Sequence, residues 1–549
     1  VELNLNPHLL DSADWSRDGT FNAVSNAHGR YSTFQFVLRL SPEVHRRLGN
    51  LSPDGISPGG KVDFETLQAA STYLHETVHW WQHVGSTYGL MLSLSFPSQM
   101  QSNYDHLKQL IAELGFKKSI RGLVEKMNGP SGYGTPQGNA NRILNNHYDI
   151  SAYRNLTVSP RSAAAVVNEP LFESVGHAYE IAIGNNVLLL AATADPEFKV
   201  IHHPRDWEEP FKKLRADKEP GFYFGSPVEL PPIGAYEIFE GQARFAQLQL
   251  LHFGTGGRFE LNDAADFGML RPPYGEAFET FLRLSEVPRP GSIHHPAIGL
   301  FLLVCDLAIN PGSAFPFPVM HYPTFIADQD PGQRFLYLSR IIKLKCSGTA
   351  TAIQDYTRAE YEAVSTELAM ALVEFPPLVI AEFVTKWPEH SPEIKSLMEE
   401  HATFDFIPGN IVPRFMLTHF VAFQRDKLTT PEFFCWPGAW MAGSRASAQV
   451  AAINDRHAAP FLDKADDDGV FPRLFADRSQ ENIQKTFDTF YAGVVTYDMA
   501  HQWITEPGPF KYRYRWLSQS GGDHELKDFV DRQFETAFGV SPDDVELVD

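Results

Sequence analysis

Apolar residues recur at two different spacings along this chain. In Tyr31–Leu40, Phe34, Phe36, Leu38 and Leu40 fall on one face, and Thr33, Gln35 and Arg39 alternate with them. That period of two predicts a half-buried strand over 31–40. Ser41-Pro42-Glu43 then opens a helix. Over 63–85 the spacing lengthens to the helical one. Asp63 stands as N-cap, and Phe64, Leu67, Leu74, Val78 and Trp81 mark the apolar stripe. Residues 128–139 are a Gly/Pro-rich loop. Residues 171–193 predict a largely buried helix. Pro231-Pro232 precedes another over 234–252, stopped by Gly254.

Residues 307–334 are rich in proline and glycine and lack periodicity, which makes them the expected connection between two regions. Beyond them helices dominate. Thr357 and Glu360 form a capping box, Ser391-Pro392 opens a helix, and a helix over 523–538 ends at Gly539. The expected fold is mainly α with a small N-terminal β-sheet, in the α+β class. A first region spans 1–306. A mainly helical region over 335–549 carries no motif, and substrate or partner selection is its expected role.

Composition narrows the function. The 549 residues hold 46 Lys and Arg against 67 Asp and Glu, a net charge of −21. So acidic a body repels phosphate backbones and anionic bilayers, so neither nucleic acid nor membrane is an expected partner. The longest apolar runs, 187–194 and 297–309, fall short of the roughly 20 residues that cross a bilayer. Residues 1–15 include Asp11 and Asp14 and no basic, then apolar, signal pattern. Cys305, Cys346 and Cys435 lie far apart with no CxxC pair. That excludes a disulfide framework and a cysteine-built zinc site, and it fits a reducing, cytoplasmic compartment. No GxxxxGK[ST] loop, no GxGxxG after a strand and no GxSxG elbow occurs.

The candidate chemistry sits inside the helix over 63–85, in Tyr73-Leu74-His75-Glu76-Thr77-Val78-His79-Trp80-Trp81-Gln82-His83. Residues four apart on a helix stack on one face, so His75 and His79 can bind one metal ion together. Glu76 is turned by about 100° from His75 and can reach a metal-bound water. A metal lowers the pKa of such a water towards neutrality, and a carboxylate beside it takes the proton. His83 lies two turns from His75, about 12 Å along the axis, too far to share the ion.

This HExxH stretch resembles the active-site helix of the zincin metallopeptidases. The metzincin extension is absent, since Gln82 and Gly85 stand where Gly and His would be needed. Zincins without that extension take a Glu from a second helix. Here Glu240-Gly241-Gln242-Ala243-Arg244-Phe245 is similar to the third-ligand helix of gluzincin aminopeptidases. The gap from His79 to Glu240 is longer than gluzincins use, which calls for an inserted helical segment. An i,i+4 pair of Glu240 with Arg244 is the structural alternative. Glu173, in Glu173-Ser174-Val175-Gly176-His177, is the second choice of ligand, with Asp306 and Glu237 behind it.

The resemblance implies a zincin-like core and a Zn2+ ion held by His75, His79 and Glu240. It implies Glu76 as general base in hydrolysis of a protein or peptide, with a selective intracellular target expected. The oxyanion stabiliser stays open among His294, His295, His321, Tyr322 and Arg244. Trp80, Trp81, Tyr88, Phe96, Phe222, Tyr223 and Phe224 could line an apolar pocket, with core packing as the simpler account. Two other readings remain. One is a binding or regulatory protein on a zincin fold without hydrolytic activity. The other is a di-iron protein using Glu76-x-x-His79, for which no second Glu-x-x-His is present.

Overall fold

The computed structural model describes residues 5, 6, 9, 35–49, 62–127, 132 and 134–548. Helices account for most of them, and the sheets are small. A parallel pair joins Lys117–Lys118 to Glu546–Leu547, and a hairpin joins Phe461–Lys464 to Asp467–Pro472.

The N-terminal sheet expected around 31–40 is not formed among the described residues. Residues 31–34 lie outside them. Residues 35–40 touch the hairpin through one isolated parallel bridge, Leu38 to Leu462, and all six are buried, Gln35 and Arg39 included. The in-out alternation needs one face in water. Here the polar members are covered too, Arg39 by donating to the Trp516 carbonyl at 3.0 Å. The helix signals fare better. Ser41 caps Pro42–Leu48, and Asp63 caps Phe64–Gly85 by accepting the Thr66 N–H at 3.0 Å. The helix expected over 171–193 begins later, at Val175, because Ser174 accepts the His177 N–H as its cap, and runs to Ala194.

Phe64–Gly85 is the centre of the fold. Ala235–Gly254 packs against it antiparallel, as the side-chain register shows: Gln82 meets Phe239 and Gln242, His75 and His79 meet Glu240, and Ser71 and Thr72 meet Gln247. At the far end the Leu67 side chain packs so closely on the Gly254 backbone that a Cβ there would lie 2.6 Å from it. Between the two partners in sequence lie the helices Thr87–Gln101, Tyr104–Leu114, Pro136–Val158 and Val175–Ala194, which fill the long gap with helix as expected.

Ile411–Thr429 crosses the other side of the central helix. Gln424 Nε2 donates to the Gly85 carbonyl at 2.8 Å, and a Cβ on Gly85 would lie 2.5 Å from the Phe423 ring. Trp81 is surrounded by Phe423, Phe433 and Phe434, and its indole N–H donates to the His457 carbonyl at 2.9 Å. Trp80, Tyr88, Phe96 and Phe222 are likewise buried, and Phe224 is exposed. Trp80 against His419, Trp81 against Phe423 and Phe96 against Tyr497 join the two halves of the chain. The apolar core is continuous across 307–334, where Ala314, Phe315 and Phe317 are themselves buried. Among the described residues no helix is long and apolar enough to cross a membrane.

Candidate metal centre

The interface between the two central helices is polar although it is buried. Gln68, Ser71, Thr72, His75, Glu76, His79 and Gln82 come from one helix, and Gln242, Arg244 and Gln247 from the other. Burying such groups costs free energy unless each finds a partner, so a polar seam at the middle of a fold has to be held by hydrogen bonds between its members.

At its centre three donor atoms converge. His75 Nε2 and His79 Nε2 lie 3.0 Å apart, and Glu240 Oε2 is 3.5 Å from each. Ligands tetrahedrally placed at the usual 2.0–2.1 Å from zinc are separated by about 3.4 Å, so the triangle has the right size for one ion. Among the described residues this is the one group of three or more His, Cys, Asp or Glu side chains whose ligand atoms all lie within 4.8 Å of one another. The set could hold a metal ion. The side chains of His75 and Glu240 are 8% and 12% exposed and that of His79 1%, so the centre is deep in the fold.

The surroundings fix the ligands. His79 Nδ1 is 2.8 Å from Gln82 Oε1, which can only accept, so Nδ1 carries a proton and Nε2 is the nitrogen left to face the centre. Gln82 Nε2 in turn donates to the Phe239 carbonyl at 3.0 Å and to Gln242 Oε1 at 2.9 Å. One side chain thereby ties the second histidine to the helix that carries Glu240. His75 Nδ1 makes no hydrogen bond among the described residues.

The electrostatics call for positive charge. Burial pulls the His75 imidazole down to about 4. Burial also opposes charge on His79, but the Glu240 carboxylate outweighs it, with Glu76 and the Gln82 bond adding, and the pKa rises. Burial would raise Glu240, yet His79 and His75 hold it well below the usual carboxylate range. Two imidazole nitrogens and a carboxylate oxygen facing one point are stabilised by a cation there.

Each alternative third ligand is engaged elsewhere. Glu237 accepts the Gly234 N–H at 2.8 Å as part of the helix start. Asp306 is buried against Lys427 and Tyr361. Glu173 precedes its helix rather than sharing it, and it stands 3.6 Å from His177, which also meets Asp149 at 3.3 Å. His83 turns away to Ser93 Oγ at 3.2 Å. Of the oxyanion candidates, His294 pairs with the Gln354 carbonyl, His295 caps Pro296–Ala308 and Tyr322 packs on Phe211. Arg244 is at the centre, one turn beyond Glu240, with its guanidinium 3.9 Å from the Tyr274 ring centre and Nη1 donating to Gln247 at 2.7 Å.

Two participants escaped the sequence. Tyr274, whose ring centre is 6.0 Å from that of His75, arrives on the loop after Pro272-Pro273 with no motif around it. Gln247 lies seven positions after Glu240, a helical repeat that does mark it as sharing a face. In comparisons with family models, curated proteins and solved structures, the chain matches none.

Proposed function

We propose that this chain is a zinc-dependent peptidase, with His75, His79 and Glu240 as ligands and Glu76 as general base. One observation carries the reading: residues from two helices far apart in sequence bring three ligand atoms into a triangle sized for one ion, beside a glutamate on the same helix. A purely structural site has no need of that glutamate.

When bound, zinc would supply Lewis acidity, polarising a carbonyl oxygen and lowering the pKa of a water towards 7. The chain's own residues do the rest. His75 and His79 offer neutral Nε2 lone pairs, the second fixed by Gln82. Glu76 lies near enough to His79 to raise its pKa, and its carboxylate takes a proton from the attacking water and returns it to the leaving amine. Tyr274 and Arg244 form the wall beside His75. Substrates are proteins or peptides. The three cysteines are all unpaired and buried, which supports a reducing, cytoplasmic setting.

Two measurements test this. Elemental analysis of chelator-washed, zinc-reconstituted protein should find about one zinc per chain, lost in His79→Ala. Glu76→Gln should keep the zinc and abolish peptide hydrolysis. Hydrolysis unchanged in Glu76→Gln sinks the mechanism, and zinc absent from wild type sinks the site.

A further inference from the structure

The stripe carrying His75 and His79 extends beyond the metal centre. At about 100° per residue, Gln68, Thr72, His75 and His79 fall within an arc of roughly 60°, and all four are buried. From the facing helix, Gln247 Nε2 donates to Ser71 Oγ at 3.2 Å and Thr72 Oγ1 at 3.3 Å. This polar rail leads to the centre, with Thr72 about 4.5 Å along the axis from His75.

The rail already holds main chain. Gln68 grips one residue at both polar groups: the Asn6 N–H donates to Gln68 Oε1 at 2.9 Å, and Gln68 Nε2 donates to the Asn6 carbonyl at 3.3 Å. Thr72 Oγ1 donates to the Leu9 carbonyl at 2.5 Å. The Leu9 N–H bonds back to the Asn6 carbonyl at 3.0 Å. Leu5 and Leu9 are buried, Leu9 completely. A side-chain amide that takes an N–H and a C=O from one residue reads backbone, which every peptide offers. The buried leucines add the preference for apolar side chains.

We propose that Gln68 and Thr72, braced by Gln247, form a peptide-backbone site beside the metal centre, and that this chain's own Leu5, Asn6 and Leu9 occupy it as an intramolecular competitor. The site takes short peptides with apolar side chains on either side of the gripped residue. Its role as a substrate approach rests on the peptidase reading, but its capacity to bind peptide does not. An occupant on the same chain competes at an effective concentration in the roughly millimolar range, so a peptide in solution meets a largely filled site.

The test uses a fluorescent peptide with the sequence of residues 1–12 and reads its anisotropy. Protein lacking residues 1–9 should bind it at least about tenfold more tightly than the full chain. Gln68→Leu with Thr72→Val, in the shortened protein, should lose at least about tenfold. Leu9→Asp in the full chain should tighten binding towards that of the shortened protein, and it carries the test if the shortened protein does not fold. A second readout is the rate at which a chelator strips zinc, which should rise in the shortened protein and in Leu9→Asp. Equal peptide affinity in the full chain, the shortened protein and Leu9→Asp overturns the proposal, as does affinity indifferent to Gln68 and Thr72. Binding as expected with no hydrolysis by any form keeps the backbone site and removes the peptidase reading.

Discussion

Gln82 is where the structure makes its sharpest demand. It accepts from His79 Nδ1 at 2.8 Å and donates to the Phe239 carbonyl and Gln242 Oε1 at 3.0 and 2.9 Å, all in a buried setting. Gln82→Leu keeps comparable volume and removes all three bonds. His79 then loses the partner that sets its tautomer and ring angle, and His75 Nδ1 has no equivalent partner among the described residues to compensate. Loss of such an orienting bond costs about 10–100-fold in metal affinity, or roughly 1.4–2.8 kcal/mol. The metal-free protein should lose roughly 2–3 kcal/mol as well, because His79 Nδ1 and Gln242 stay buried without this partner. Gln82→Glu separates the two effects. Its carboxylate still accepts from His79, so metal affinity should stay within about threefold of wild type, while the bonds to Phe239 and Gln242 are lost and stability falls. Affinity is read by competition with a chromophoric zinc chelator, and stability by urea unfolding of chelator-treated protein. Gln82→Leu binding zinc as tightly as wild type, while its unfolding midpoint falls, would refute the orienting role.

Other consequences follow from buried charge. Burial raises the Asp330 carboxyl to about 6, against about 3.9 in the unfolded chain, so the native state holds its proton between those values. Stability is then full below the unfolded pKa and declines as pH rises through about 6, by about 3 kcal/mol. Asp330→Asn keeps its one oxygen for the Gln333 N–H and turns its NH2 to donate to the Tyr179 hydroxyl oxygen, and it should flatten that decline; an unchanged slope in urea titrations from pH 4 to 7 contradicts it. Lys427 meets Asp306 at 2.6 Å, with the two side chains only 3% and 9% exposed. Lys427→Met should cost about 3–5 kcal/mol by stranding the carboxylate, and adding Asp306→Asn should recover part of it. A loss below about 1 kcal/mol in chemical unfolding would show that the pair is not desolvated as the structure has it.

The local sequence determined the helices and the first half of the centre. Asp63 and Ser41 are caps whose side chains reach only three residues, and His75 and His79 share a face because the helical repeat allows nothing else. Glu240 was legible through its resemblance and its helix, but its meeting with the histidines depends on antiparallel packing of two helices that seven others separate among the described residues. The same packing turned Gln82 from a residue following a motif into the link between both ligand helices. Over the described part of the strand expected at 31–40, residues 35–40, the reason is the opposite: alternation records which side chains are apolar, and tertiary contacts buried the polar ones as well. Tyr274 and the grip of Gln68 on Asn6 join loops to helices across long stretches of chain, and no periodicity encodes such contacts. Short-range hydrogen bonding and helical period are written in the order of residues. Which faces meet is settled only when the whole chain buries its apolar surface and every enclosed polar group must find a partner.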